Sequence, residues 1–167
     1  LGMYKKYFNG VIAAGTTRDT FDDEIENLWN ETLNEVTEQM NIVQFSKSLE
    51  AIWRFISRLN KYIDETAPWA LAKDEDKKDR LAVVMNYLVN GLYKIAVMIY
   101  PYMPTAAQKI WNQLGVEKLV KDAKVADITG WNLLSVGHVL GNAEPIFPRL
   151  DLEVFETKKD LMAVNPE

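Results

Sequence analysis

Apolar residues recur at three- and four-residue steps along most of the chain up to Gly115, and the breaks in that rhythm carry proline, glycine or runs of charge. Met3, Tyr4, Tyr7 and Phe8 open the pattern and end on Gly10, a helix stop. No capping residue precedes Leu1, so the spacing predicts a first helix cut short at its front and a chain that is a piece of a longer protein. After a loop over 11–18, Thr20 with Asp23 reads as a capping box, and Phe21, Ile25, Leu28, Trp29, Leu33, Val36 and Met40 form the stripe of a second helix. Phe45, Leu49, Ile52, Trp53, Ile56, Leu59 and Ile63 form the stripe of a third. Leu81 to Ile99 is nearly apolar in its second half, which predicts a largely buried helix stopped by Pro101. Pro104 then opens a short helix through Ala107, Ile110, Trp111 and Leu114, closed by Gly115.

About five helices with short connections predict an all-α helical bundle. Beyond Val116 the pattern weakens to a turn or two near Glu117–Ala123 and an irregular, Gly- and Pro-punctuated stretch. Residues 145–151 read as an extended strap packed back on the bundle. The expected domain is 1–151, with 152–167 a polar tail or linker.

Between the third helix and the next lies Asn60-Lys61-Tyr62-Ile63-Asp64-Glu65-Thr66-Ala67-Pro68-Trp69-Ala70-Leu71-Ala72-Lys73. Proline at 68 bars continuation of the helix and biases Ala67 toward extended backbone, so Trp69 is offered from a helix end and not from a helix face. On the residues alone two readings stand. Trp69 caps the core between two helices, or it is a platform for stacking, worth roughly 1–3 kcal/mol per unpaired base.

Charge adds a second candidate surface. Asp22, Glu24, Glu26, Glu31, Glu35 and Glu38 give the second helix an acidic outer face, while Lys47, Arg54, Arg58 and Lys61 gather on the side of the third helix away from its stripe. Arg54, Arg58 and Lys61 are candidate phosphate contacts, or equally a solvated face or partners of the acidic helix. A net charge of −5 argues against a protein that coats nucleic acid non-specifically, yet leaves room for reading a few exposed bases.

Several chemistries are disfavoured. Cysteine is absent and His138 is the single histidine, so neither a thiolate nucleophile nor a histidine-based metal site is expected. The chain holds no Gly-rich phosphate loop, no Gly-x-Ser-x-Gly elbow and no histidine base beside a serine, and its carboxylates fall on predicted outer faces. It shows no apolar signal core. The expectation is a soluble, cytoplasmic, non-catalytic fragment without a cofactor of its own, a membrane or a DNA partner.

Tyr7-Phe8-Asn9-Gly10, Ala51-Ile52-Trp53, Asn60-x-Tyr62-Ile63-Asp64, Pro68-Trp69-x-Leu71-x-Lys73, Pro101-x-Met103-Pro104-x-x-Ala107-x-x-Ile110, Leu114-Gly115 and Glu144-Pro145-Ile146-Phe147-Pro148-Arg149 occur in one order along the chain. In that order and spacing the sequence resembles the C-terminal helical anticodon-binding domain of bacterial-type methionyl-tRNA synthetases, which are class I aminoacyl-tRNA synthetases. The resemblance implies that Trp69, held by Pro68, stacks on the first base of the CAU anticodon of methionine tRNA. Asn60 matches the motif and is read as structural, bridging helix ends. It also implies that an asparagine and an arginine on the first helix contact the anticodon from positions upstream of Leu1. ATP, methionine and the zinc of many family members belong, on this resemblance, to the catalytic domain of a parent enzyme that is a methionine-tRNA ligase. The rival readings are a helical protein-interaction domain and the anticodon domain of another class I synthetase.

Overall fold

The computed structural model describes residues 1–148. Its α-helices are α1 (Gly2–Phe8), α2 (Thr20–Asn41), α3 (Phe45–Thr66), α4 (Pro68–Leu71), α5 (Lys78–Ile99) and α6 (Pro104–Gln113). Short 3₁₀ turns lie at Glu75–Lys77, Val120–Asp122 and Val125–Ile128. Among the described residues extended pairing is confined to an isolated antiparallel bridge, Val11 with Val139. The all-α expectation holds, and the four residues of α4 are its one addition. The tail, 152–167, and the end of the predicted strap, 149–151, lie outside the described residues.

α2 and α3 form an antiparallel hairpin closed by Ile25, Trp29, Leu33 and Val36 on one side and Ala51, Ile52, Phe55 and Leu59 on the other. The turn between them passes through Val43 at φ 61°. α5 runs through the middle. With the 3₁₀ turn before it, Glu75–Ile99 is long and apolar enough to cross a bilayer, yet 78% of its apolar window is buried inside the bundle, so α5 is a core helix. At Gly91 a Cβ would sit 2.7 Å from the Leu59 side chain, which shows how closely α3 and α5 approach.

Three details depart from the sequence pattern. The capping box of α2 is Asp19 with Asp22, one residue earlier than predicted: Asp19 Oδ1 accepts from Phe21 N and Asp22 Oδ2 accepts from Asp19 N, each at 2.9 Å. Asp22 is therefore fully buried instead of on the acidic outer face. In α3 the inward stripe is rotated, with Phe55 and Tyr62 buried while Phe45 and Trp53 remain half-exposed, because α2 and α5 both press on the side that carries Tyr62.

The irregular segment after α6 is tied down by Lys94 of α5. Its Nζ, fully buried, donates to Ile128 O at 2.7 Å and to Gly130 O, and lies 4.6 Å from the Trp29 ring and 4.8 Å from the Trp131 ring. Burial pushes its pKa down to about 7, with Glu26 opposing the shift. His138 is structural, its Nε2 at 2.7 Å from Leu114 O. Just before the expected strap, Glu144 accepts from Gln113 Nε2 through its backbone carbonyl, and the strap residues Pro145 and Ile146 share a cleft with Ile110 and Gln113 of α6.

Candidate nucleic-acid interface

Ala67 is at once the last cap of α3 and the first of α4. Its N–H donates to Ile63 O at 3.0 Å, closing α3, while its carbonyl accepts from Ala70 N at 2.7 Å and Leu71 N at 3.2 Å, opening α4. Such a sharp reversal needs left-handed backbone, and Ala67 has φ 41° and ψ 62° instead of the extended geometry that Pro68 was expected to impose. Proline disfavours the right-handed helical region for its predecessor, and of the other choices the left-handed one lets a helix restart at once. Pro68 is buried at the first position of α4, and its neighbour Trp69 is 47% exposed. Half of a large flat ring is thus open to solvent on a short turn that packs against α5.

α4 has no side-chain cap. What holds this end of the bundle is polar. Asp22 Oδ1 accepts from the Tyr62 hydroxyl at 2.5 Å and from Arg80 Nη2 at 3.0 Å, and Oδ2 accepts from Arg80 Nη1. Arg80 also pairs with Asp19 at 2.8 Å and donates to Thr17 O at 3.2 Å. Burial, then the Asp22 carboxylate, raises the Tyr62 pKa above the ordinary phenol range, so its proton stays in place. Next to it Asp79 gathers the amides of Thr16 and Thr17 and both hydroxyls, which lowers its pKa. These residues escaped the sequence reading: Tyr62 lay inside the Asn-x-Tyr-Ile-Asp motif and Asp22 inside an acidic run, but nothing in the pattern linked them to Arg80.

The other candidates fall in different surroundings. Asn60 is exposed and makes no side-chain hydrogen bond among the described residues, so the bridging of helix ends expected of it is not seen there. It lines an apolar groove of about 150 Å³ with Leu1, Met3, Ile56, Ile63 and Leu92. Arg54 pairs with Glu35, and Arg58, with a side chain only 16% exposed, pairs with Glu24 at 2.7 Å and Glu65 at 2.8 Å. Lys61 lies 3.2 Å from Glu65. Arg54, Arg58 and Lys61 thus each lie beside a carboxylate. A polar pocket of about 190 Å³ beside α4 is lined by Lys6, Tyr7, Leu71, Ala72, Asp74 and Lys78.

A helical bundle presenting a half-exposed tryptophan on a proline turn fits a reader of single-stranded bases. The family model described as "Anticodon-binding domain of tRNA ligase" matches residues 22–163. The chain belongs to this family. A methionine-tRNA ligase of Fusobacterium nucleatum is 57% identical over 153 residues, covering 92% of this chain and 24% of the relative. Methionine-tRNA ligase 1 of Bacillus anthracis is 40% identical over 176 residues, covering all of this chain and 26% of the relative. The anticodon-binding domain thus spans about a quarter of the length of the curated relatives it matches. Among solved structures, methionyl-tRNA synthetase of Mycobacterium tuberculosis in complex with methionyl-adenylate superposes with a TM-score of 0.81 at 25% identity, covering 89% of this chain and 29% of that one.

Proposed function

We propose that this anticodon-binding domain reads the CAU anticodon of methionine tRNA for a methionine-tRNA ligase of which it is a part. The observation that carries the reading is Trp69, a large aromatic ring left 47% exposed on a turn whose proline is buried. The sequence likeness to methionine-tRNA ligases supports the choice of amino acid and therefore of tRNA. In this reading Trp69 stacks on the first anticodon base, and Pro68 fixes the turn that presents it. Asn60, exposed on α3, carries an amide that can donate to and accept from a base edge. Arg54 and Arg58 are engaged with carboxylates, and a phosphate would have to displace those partners. ATP and methionine act in the catalytic part of the ligase, as does zinc where a member carries it, and the site of action is the cytoplasm.

The test is charging of methionine tRNA by the full-length ligase carrying Trp69→Ala, measured beside methionine activation without tRNA. Stacking of one base is worth about 1–3 kcal/mol, so kcat/KM for charging should fall about 5- to 150-fold while activation is unchanged. Unaltered charging would refute the proposal.

A further inference from the structure

We infer that Tyr62, through its bond to buried Asp22, is a positioning residue for anticodon reading, because it fixes the last turns of α3 from which the Trp69 platform is built. The inference rests on the proposed reading of Trp69 and adds to it the part of the domain that sets the angle of the ring. The four-residue α4 lacks a side-chain cap, so its orientation is inherited from α3 and from its packing on α5. Beside the Arg58–Glu24 pair, which lies at the surface, a buried carboxylate ties this end of α3 to its neighbours. Asp22 binds Tyr62 of α3, Arg80 of α5 and the N-terminal amide of α2 together, with both of its oxygens occupied. From Tyr62 the connection runs on through the last turn of α3 and into α4: the Thr66 hydroxyl donates to Tyr62 O at 2.6 Å, Ala67 N to Ile63 O at 3.0 Å, and Ala72 N to Pro68 O at 3.0 Å.

Physical cost argues that this arrangement serves geometry. Burying a carboxylate and a guanidinium loses hydration that an apolar trio of similar volume would not lose, so a buried ionic cluster contributes little net stability. What it does supply is directionality. Four hydrogen bonds converging on one fully buried side chain allow a single relative setting of three helix ends, whereas apolar packing alone tolerates small rotations. The aromatic face of Tyr62, 6.1 Å from Tyr87, keeps its packing when the hydroxyl is removed, so the two contributions can be separated.

The experiment is a double-mutant cycle of Tyr62→Phe and Trp69→Ala in the full-length ligase. Its readouts are charging kcat and KM for methionine tRNA and for a tRNA with a changed first anticodon base, methionine activation without tRNA, and thermal unfolding. Tyr62→Phe should raise KM for methionine tRNA roughly three- to tenfold and narrow the preference over the changed anticodon, with activation intact. In the Trp69→Ala background the same change should cost nothing further, because its effect passes through the ring. Arg80→Lys, which keeps the charge and loses the fork, should shift KM in the same direction. Losses that add in the cycle, or a Tyr62→Phe enzyme with lowered unfolding temperature but unchanged anticodon preference, would overturn the inference and leave the reading of Trp69 standing. A Trp69→Ala enzyme that charges normally would remove both.

Discussion

Lys94 offers a quantitative test of how the bundle holds its irregular C-terminal segment. Its ammonium is fully buried, and burial lowers its pKa from 10.5 to about 7. An uncharged amine keeps two N–H donors, enough for the carbonyls of Ile128 and Gly130 that it bonds. In the unfolded chain the group stays protonated up to its ordinary value. Between about pH 7 and 10.5 the unfolded state therefore binds more protons than the folded one, and stability rises with pH across that window. Below pH 7 both states are protonated and the penalty of burying the charge is fully present. Working the two values through linkage, the gain from pH 7 to pH 9 is about 2 kcal/mol. The perturbation is Lys94→Met, which has similar length, packs between Trp29 and Trp131 and cannot titrate. Ile128 O keeps the bond from Trp29 Nε1 at 2.9 Å, so Gly130 O is the acceptor that is left without this donor. Urea unfolding followed by tryptophan fluorescence at pH 7, 8 and 9 should show the wild-type stability climbing relative to the variant by that amount. Parallel pH profiles for the two proteins would refute the reasoning.

Other expectations concern the loops at the two ends of the α2–α3 hairpin. Val43 adopts φ 61°, a left-handed conformation that a β-branched residue resists, so Val43→Asn should raise the urea midpoint by the equivalent of about 1 kcal/mol. Asp79 gathers the Thr16 and Thr17 donors and its pKa is lowered, so its contribution is present above the ordinary carboxylate value of 3.8 and is lost as pH falls through the folded value. Asp79→Asn should accordingly differ from wild type in unfolding temperature at neutral pH, and the difference should close on acidification.

The helical class, the order of the long helices and the break of α3 before Pro68 were legible in the sequence. Each depends on local chemistry: 3.6-residue periodicity, proline's missing N–H and glycine's tolerance of positive φ act within a few residues of where they are written. The relation to methionyl-tRNA synthetases was legible for a different reason, since motifs scattered from Tyr7 to Arg149 keep a common order. What periodicity could not deliver was partnership across the chain. For Arg54 and Arg58 the pattern left phosphate, solvent and the acidic helix open as partners, and the antiparallel docking of α2 brought Glu35 and Glu24 against them, with Glu65 of their own helix completing the pairing of Arg58. Asp22 looked like one more surface acid until Tyr62, 40 positions away, and Arg80, 58 away, closed over it. Lys94 stood in an apolar run with no sign that two tryptophans, Trp29 and Trp131, would enclose it. Even Ala67 followed its neighbours on both sides, taking the left-handed turn because α3 must end and α4 begin on the same residue. Local preference determined which segments are helical and where they stop. Which charges are paired inside the fold and which rings stay exposed was decided by the packing of helices distant in sequence, because burial and pairing are properties of neighbours in space.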